Sequence, residues 1–233
     1  MPTISCIRVS SMEIEHCVFP DDLRYDLDNL VWAGKDANNN LVIGITSILS
    51  ALAGKISTVK LKDINTMVPM GKNVGTIESG RYFGSVRAPI AGKIVAINHG
   101  VVSNPKLAND SPYEKGWFIT LAPTLDSDLD LKGMKSLPDD SEEIRSLIRA
   151  LRVKCYKALP DFEMFEIGIE CAATLSKLDD LISEIESGQI VHLVSDDPTA
   201  DIEMTRWAEQ NRQKLIETRK EENLLHFLVQ KIN

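Results

Sequence analysis

The chain has 233 residues, 43% of them hydrophobic and 26% charged, and 34 Asp and Glu outweigh 26 Lys and Arg to give a formal net charge of -8. That length supplies one or two globular domains with material for a core. The acidic balance excludes a general binder of nucleic acid or anionic membrane, whose affinity comes from basic patches. No apolar run is long enough to span a bilayer, and the Met-Pro-Thr-Ile-Ser-Cys start lacks a charged segment leading into an apolar one, so a cytoplasmic protein is expected.

Cys6, Cys17, Cys155 and Cys171 lie far apart, with no Cys-x-x-Cys pair, and His16, His99, His192 and His226 share no metal or triad spacing. In a reducing compartment the cysteines read as free thiols, and no metal site is expected. Residues 1–22 read as a lead-in with a strand-like run, Ile4 to Val9, followed by Cys17-Val18-Phe19-Pro20-Asp21-Asp22. Asp36 to Asn40 is a turn, because asparagine tolerates left-handed backbone and bonds its own chain. Leu41 to Thr46 is a strand, and Ser47 to Ala53 a short helix closed by Gly54. Strand-turn-strand patterning follows through Ile56/Val59/Leu61, Met67-Val68 and Val74/Ile77. Gly75 to Tyr82 then forms an exposed hairpin before the apolar run Ile90/Ile94/Val95/Ile97.

The ordered features from Leu23 to Pro123 resemble the H protein of the glycine cleavage system, a lipoyl-carrying relative of biotinyl and lipoyl domains. They comprise Leu23-Arg24-Tyr25, Leu30-Val31-Trp32, Gly44-Ile45-Thr46, Ala88-Pro89-Ile90-Ala91-Gly92, Asn98, Asn104-Pro105, Asn109-Asp110-Ser111-Pro112-Tyr113 and Gly116-Trp117-Phe118. The resemblance implies a small β-barrel-sandwich over residues 23–125 that presents the hairpin to partners. In that family the hairpin reads Glu-Ser-Val-Lys-Ala, and its lysine carries lipoate through an amide. Here the register gives Glu78, Ser79, Gly80, Arg81, Tyr82. A guanidinium stays protonated and is a poor nucleophile for acyl transfer, so lipoate is not expected. As a docking element, Glu78, Arg81, Tyr82 and Arg87 would meet a carboxylate or phosphate of a partner; alternatively Arg81 is a solvated turn residue. Lys72 and Lys93 lie off the tip register.

Residues 126–160 read as a linker carrying an amphipathic helix. Asp140 and Glu143 have capping-box spacing, Ile144, Leu147, Ile148, Leu151 and Cys155 share one face, and Pro160 ends the helix. From Asp161 to the C-terminus the expected order is βαβαββ, a two-layer α/β sandwich, which makes the whole chain α+β. Phe165, Ile167 and Ile169 alternate with Glu166, Gly168 and Glu170 as a half-buried strand. A helix after Cys171 stops at Gly188, and Asp196-Asp197-Pro198-Thr199 is a turn in which Thr199 caps the next helix. Trp32, Trp117 and Trp207 read as core markers.

The element order, the cysteine at the first strand-helix junction and the Asp-Asp-Pro at the second resemble the TusA-type sulfur carriers over 161–233. Ala172 and Thr174 replace both prolines of that family's Cys-Pro-x-Pro motif. At a helix N-terminus backbone N–H groups favour a thiolate, so Cys171 is the candidate nucleophile; the resemblance implies that it holds sulfane sulfur as a transient persulfide. The resemblances together imply a sulfur-trafficking protein with protein partners from sulfur relay or lipoyl-dependent systems, a sulfurtransferase-type carrier if it is an enzyme at all. A non-catalytic adaptor and a lipoyl carrier using another lysine are the alternatives.

Overall fold

The computed structural model describes residues 10–124, 131 and 133–232. The run Ile4 to Val9, Cys6 and residues 126–130 of the expected linker lie outside the described residues. The chain divides into two compact units, Met1–Cys155 and Tyr156–Asn233.

The first unit opens with a two-stranded hairpin, β1 (Ser11–Ile14) and β2 (Cys17–Pro20). There follow β3 (Arg24–Asp26), β4 (Val31–Lys35), β5 (Leu41–Ile45), α1 (Ser47–Ala53), β6 (Ile56–Leu61), β7 (Met67–Val68), β8 (Asn73–Ser79) and β9 (Phe83–Arg87). Next come β10 (Gly92–Ile97), the short helices α2 (His99–Ser103) and α3 (Leu107–Asp110), β11 (Ile119–Pro123) and α4 (Ser141–Leu151). A six-stranded sheet runs in the order β3-β4-β5-β11-β10-β7, and β6-β8-β9 form a second sheet. Val31, Ile43, Ile77, Ile94 and Leu121 fill the core that both sheets line. Trp32 sits opposite Gly44 in the β4–β5 ladder, where a Cβ on residue 44 would lie 2.6 Å from the indole, so only glycine lets the strands close.

Local punctuation explains the sharp β5–α1 boundary. Thr46 Oγ1 accepts from Leu49 N–H and donates to Leu30 O at 3.0 Å, while Gly54, with φ +65°, terminates the helix. The turn at Asp36 forms as expected, its Oδ1 accepting from the N–H groups of Asn38 and Asn40.

The structure departs from the sequence reading at the end of this unit. The described part of the expected linker packs onto the first unit: Leu131 and Leu137 are buried, and Lys135 pairs with Tyr25. No capping box forms on α4. Asp140 Oδ2 accepts from Ser136 N–H instead, and Glu143 is drawn to Lys135 at 2.6 Å. The helix ends at Leu151, with Arg152 in the left-handed region, well before Pro160. Ile144 and Ile148 bury on a separate apolar cluster with Ile14, Phe19 and Tyr25. Cys17 and Cys155 belong to this cluster and are joined in a disulfide across 138 residues, Cα to Cα 5.0 Å, which corrects the expectation of free thiols for this pair.

The second unit has β12 (Phe162–Glu166), α5 (Cys171–Glu184), β13 (Ile190–Ser195), α6 (Ala200–Gln210), β14 (Lys214–Glu221) and β15 (Leu224–Gln230), in sheet order β12-β13-β15-β14. β12 is parallel to β13, with Phe162, Met164 and Glu166 level with Val191, Leu193 and Ser195. That register places Phe162 and Met164 against the helix-covered core, formed by Leu178, Ile182, Met204, Trp207 and Phe227. The expected phase is therefore wrong: β12 stops at Glu166, Phe165 is 62% exposed, and Ile167 and Ile169 stand exposed in the following loop. Both phases of Phe-Glu-Met-Phe-Glu contain apolar residues, so the parallel pairing decides which face turns inward. Trp32 and Trp207 are buried and Trp117 partly so. Among the described residues no helix is long and apolar enough to cross a membrane.

Candidate functional site

The first candidate is the tip of the β8–β9 hairpin. Glu78 and Phe83 form its last cross-strand pair, and Ser79 N–H donates to Tyr82 O at 2.8 Å to close the turn. Ser79 Oγ accepts from the N–H groups of Arg81 and Tyr82 and donates to Ala53 O at 2.6 Å. Arg81 folds back as well, and its Nη2 donates to Ala51 O at 2.7 Å. A helix ends with carbonyls that lack intrahelical partners and carry partial negative charge, so a fixed cation and a hydroxyl there are favourable. Arg81 Nε lies 2.6 Å from where a Cβ on Gly54 would stand, so the guanidinium occupies the space above the glycine that ends α1. Arg81 is thus an exposed turn residue whose side chain is anchored.

The expected docking group is only partly brought together. Glu78 and Arg81 share the tip and are exposed. Arg87 lies at the far end of the hairpin, opposite Asn73, with Nη1 donating to Gly71 O at 2.9 Å. Tyr82 packs against the core, its ring lying over Gly84. The exposed aromatic of the tip is Phe83, 73% accessible, which sequence reasoning passed over because an apolar residue after the turn reads as core. Lys72 and Lys93 are exposed and lie away from the tip, Lys93 paired with Met67 and Ala122.

The second candidate is Cys171, the first residue of α5. Asp197 organises the two loops that meet there. Its Oδ2 accepts from Cys171 N–H at 2.9 Å, and its Oδ1 accepts from Thr199 N–H and Oγ1–H at 2.8 and 2.7 Å. Asp196 Oδ1 accepts from Gly168 N–H at 2.8 Å. Thr199 makes no side-chain cap of its own on α6; Asp197 satisfies the helix starts instead. These donors, the Thr199 hydroxyl foremost, hold the Asp197 carboxyl below the usual carboxylate range. Cys171 is 7% exposed beneath a cavity of ≈ 440 Å³ whose walls include Glu170, Leu175, Asp197 and Glu203. Burial pushes its thiol up, and the Asp197 and Glu203 charges add to this. Against the expected stabilisation of a thiolate by the helix stand the first amide of α5, which points at a carboxylate, and burial, which favours the neutral thiol.

On the sheet face opposite the helices, antiparallel pairing of β13 with β15 brings His192 Nε2 within 3.0 Å of His226 Nδ1. Tyr156 lies tilted beside His192 with centroids 4.6 Å apart, and Arg219 lies 4.8 Å over the tyrosine ring. Sequence spacing alone treats these histidines as unrelated; only the strand register joins them. No group of three or more His, Cys, Asp or Glu among the described residues is placed to hold a metal ion.

Comparison with known proteins matches residues 23–147 to the glycine cleavage H-protein family. The probable glycine cleavage system H protein 2 of Sulfurisphaera tokodaii is 35% identical over 144 residues, 61% of this chain and 96% of that protein. Glycine cleavage system H protein 3 of Aquifex aeolicus is 31% identical over 152 residues, 64% of this chain and 94% of that one. A solved glycine cleavage system H protein from Mycobacterium marinum gives a TM-score of 0.47 at 24% identity, covering 54% of this chain and 98% of its own. On the strength of residues 23–147, this chain belongs to the glycine cleavage H-protein family.

Proposed function

We propose that the chain is a docking member of the H-protein family that carries no lipoyl group. The observation that supports this most is the Arg81 guanidinium bonded to Ala51 O at the position where the family resemblance places the modified lysine. An acyl acceptor there must be a free amine; a guanidinium stays charged at every physiological pH and supplies none. The residues present therefore do not fit lipoate. What the hairpin keeps is a rigid tip with Glu78, Arg81 and Phe83 exposed, a small polar and aromatic surface for a protein partner of a lipoyl-dependent or sulfur-relay system. The test is competition against an authentic H protein for a lipoyl-attaching enzyme. Wild-type chain is expected to raise the apparent KM for the authentic substrate without lowering kcat, and Arg81→Lys to turn the competitor into a substrate. Absence of competition together with an inert Arg81→Lys variant removes the docking reading.

A second reading is that Cys171 carries sulfane sulfur, which the cavity above its thiol favours. In loading, Cys171 Sγ attacks the outer sulfur of a donor persulfide. The new S–S bond forms as the donor S–S bond breaks, and the departing donor thiolate takes the proton that Cys171 gives up. A thiol raised above its ordinary value of about 8.5 reacts as thiolate only as pH climbs through that higher value. Loading and alkylation of Cys171 are thus expected to be slow at neutral pH and to accelerate above pH of about 8.5. Asp197→Asn is expected to move the midpoint down by removing one nearby charge. Intact mass after treatment with a persulfide donor should show one added sulfur, removed by reductant and absent from Cys171→Ser. No added sulfur at any pH leaves the docking role alone.

A further inference from the structure

We propose that Cys17 and Cys155 form a redox latch, opened by dithiols, that holds the β1–β2 hairpin and α4 onto the first unit. The inference stands apart from the reading of Cys171. Both sulfurs lie in the apolar cluster that Ile14, Phe19, Ile144 and Ile148 make against Tyr25, Trp32 and Val42 of the six-stranded sheet, distinct from the barrel core around Ile43, Ile77 and Leu121. No residue of the β1–β2 hairpin or of α4 belongs to that barrel core. Release of the hairpin and α4 therefore leaves the barrel core its own packing and uncovers Tyr25, Trp32 and Val42 outside it.

Besides the disulfide, polar contact between hairpin and α4 comes from Glu15, which accepts from Arg145 at 3.0 Å and Arg149 at 2.9 Å. Surface ion pairs of this kind contribute little. The hairpin is further tied to its surroundings by Ser47 Oγ on Val18 O at 3.1 Å and Tyr25 OH on Pro20 O at 2.5 Å. α4 has 11 residues, short enough to be marginal without tertiary support. The covalent link closes a loop spanning 138 residues, and closure on that scale strongly restricts the open ensemble. It is the one covalent tie between the hairpin and the segment that follows α4 among the described residues.

Cys17 is 0% and Cys155 6% exposed, so exchange enters at Cys155. The incoming thiolate bonds to Cys155 Sγ, the protein S–S bond breaks, and its electron pair leaves on Cys17 Sγ, which takes a proton. The second thiol of the reductant then attacks the mixed disulfide and departs as a cyclic disulfide, leaving Cys155 as a thiol. Two electrons and two protons pass from the dithiol to the protein. Apolar surroundings disfavour Cys17 as a leaving thiolate, so a monothiol stalls at the mixed disulfide and reverts, while a dithiol completes the exchange intramolecularly. Disulfides in reducing compartments are characteristically transient and redox-sensing, which fits a latch in a chain read as cytoplasmic.

The test is hydrogen exchange of the full chain before and after dithiothreitol, with glutathione as the monothiol comparison and alkylation mass counting the thiols. Dithiothreitol is expected to expose two further alkylatable cysteines and to lower protection in β1, β2 and α4 on the order of tenfold or more, with β10 and β11 unchanged. Glutathione should leave most of the latch closed, and reoxidation should restore protection. A Cys17→Ala/Cys155→Ala variant should show the open pattern without reductant; the reduced wild type supplies the same comparison should that variant fail to fold. Unchanged protection after reduction, or protection lost throughout the barrel strands, would each overturn the latch.

Discussion

The geometry of the hairpin tip depends on the carbonyls left without partners at the end of α1. Ser79 Oγ takes Ala53 O, Arg81 Nη2 takes Ala51 O, and Gly54 leaves the space that the guanidinium fills. A helix end, a turn hydroxyl and an arginine thus satisfy one another, and the tip is fixed by contacts its own sequence supplies. The residue standing where the family resemblance places a mobile acyl arm serves here as a clasp. Phe83 stands open beside the clasp, 73% exposed.

Asp197 plays the corresponding part in the second unit. One carboxylate accepts from the backbone at the start of α5 and from both donors of Thr199, which fixes the two loops that meet beside Cys171. Burial, with the same negative charge and that of Glu203 added, pushes the Cys171 thiol up. The group that positions the two loops thus also adds to the shift that burial imposes on the thiol. The Asp197 carboxyl, held below its ordinary range, contributes stability that is present above the unfolded carboxylate value of about 3.9 and lost as pH falls through the lower folded value.

Much of the fold is written in local signals. Thr46 and Gly54 bound α1, Asp36 and the asparagines set the turn, and the glycine-bearing hairpin lies between apolar runs, so β5, α1, β8 and β9 stand close to where the residues place them. The element order of the second unit is legible for the same reason. What escapes is whatever long-range packing decides. The pairing of β12 with β13 turns Phe165 outward, and β13–β15 register joins His192 to His226. The Cys17–Cys155 link spans 138 residues, and the Arg81 partner lies 30 residues away on another element. Asp140 shows the limit of motif reading: its capping-box spacing is present, yet nearby Ser136 and Lys135 claim both carboxylates.

The central claim is that the arm position carries a clasp and no acyl group. The most direct measurement is the intact mass of the chain isolated from cells whose own H protein is lipoylated. The account predicts the mass of the unmodified polypeptide throughout. A lipoyl adduct on any lysine, Lys72 and Lys93 included, would contradict it and return the chain to the carriers of its family.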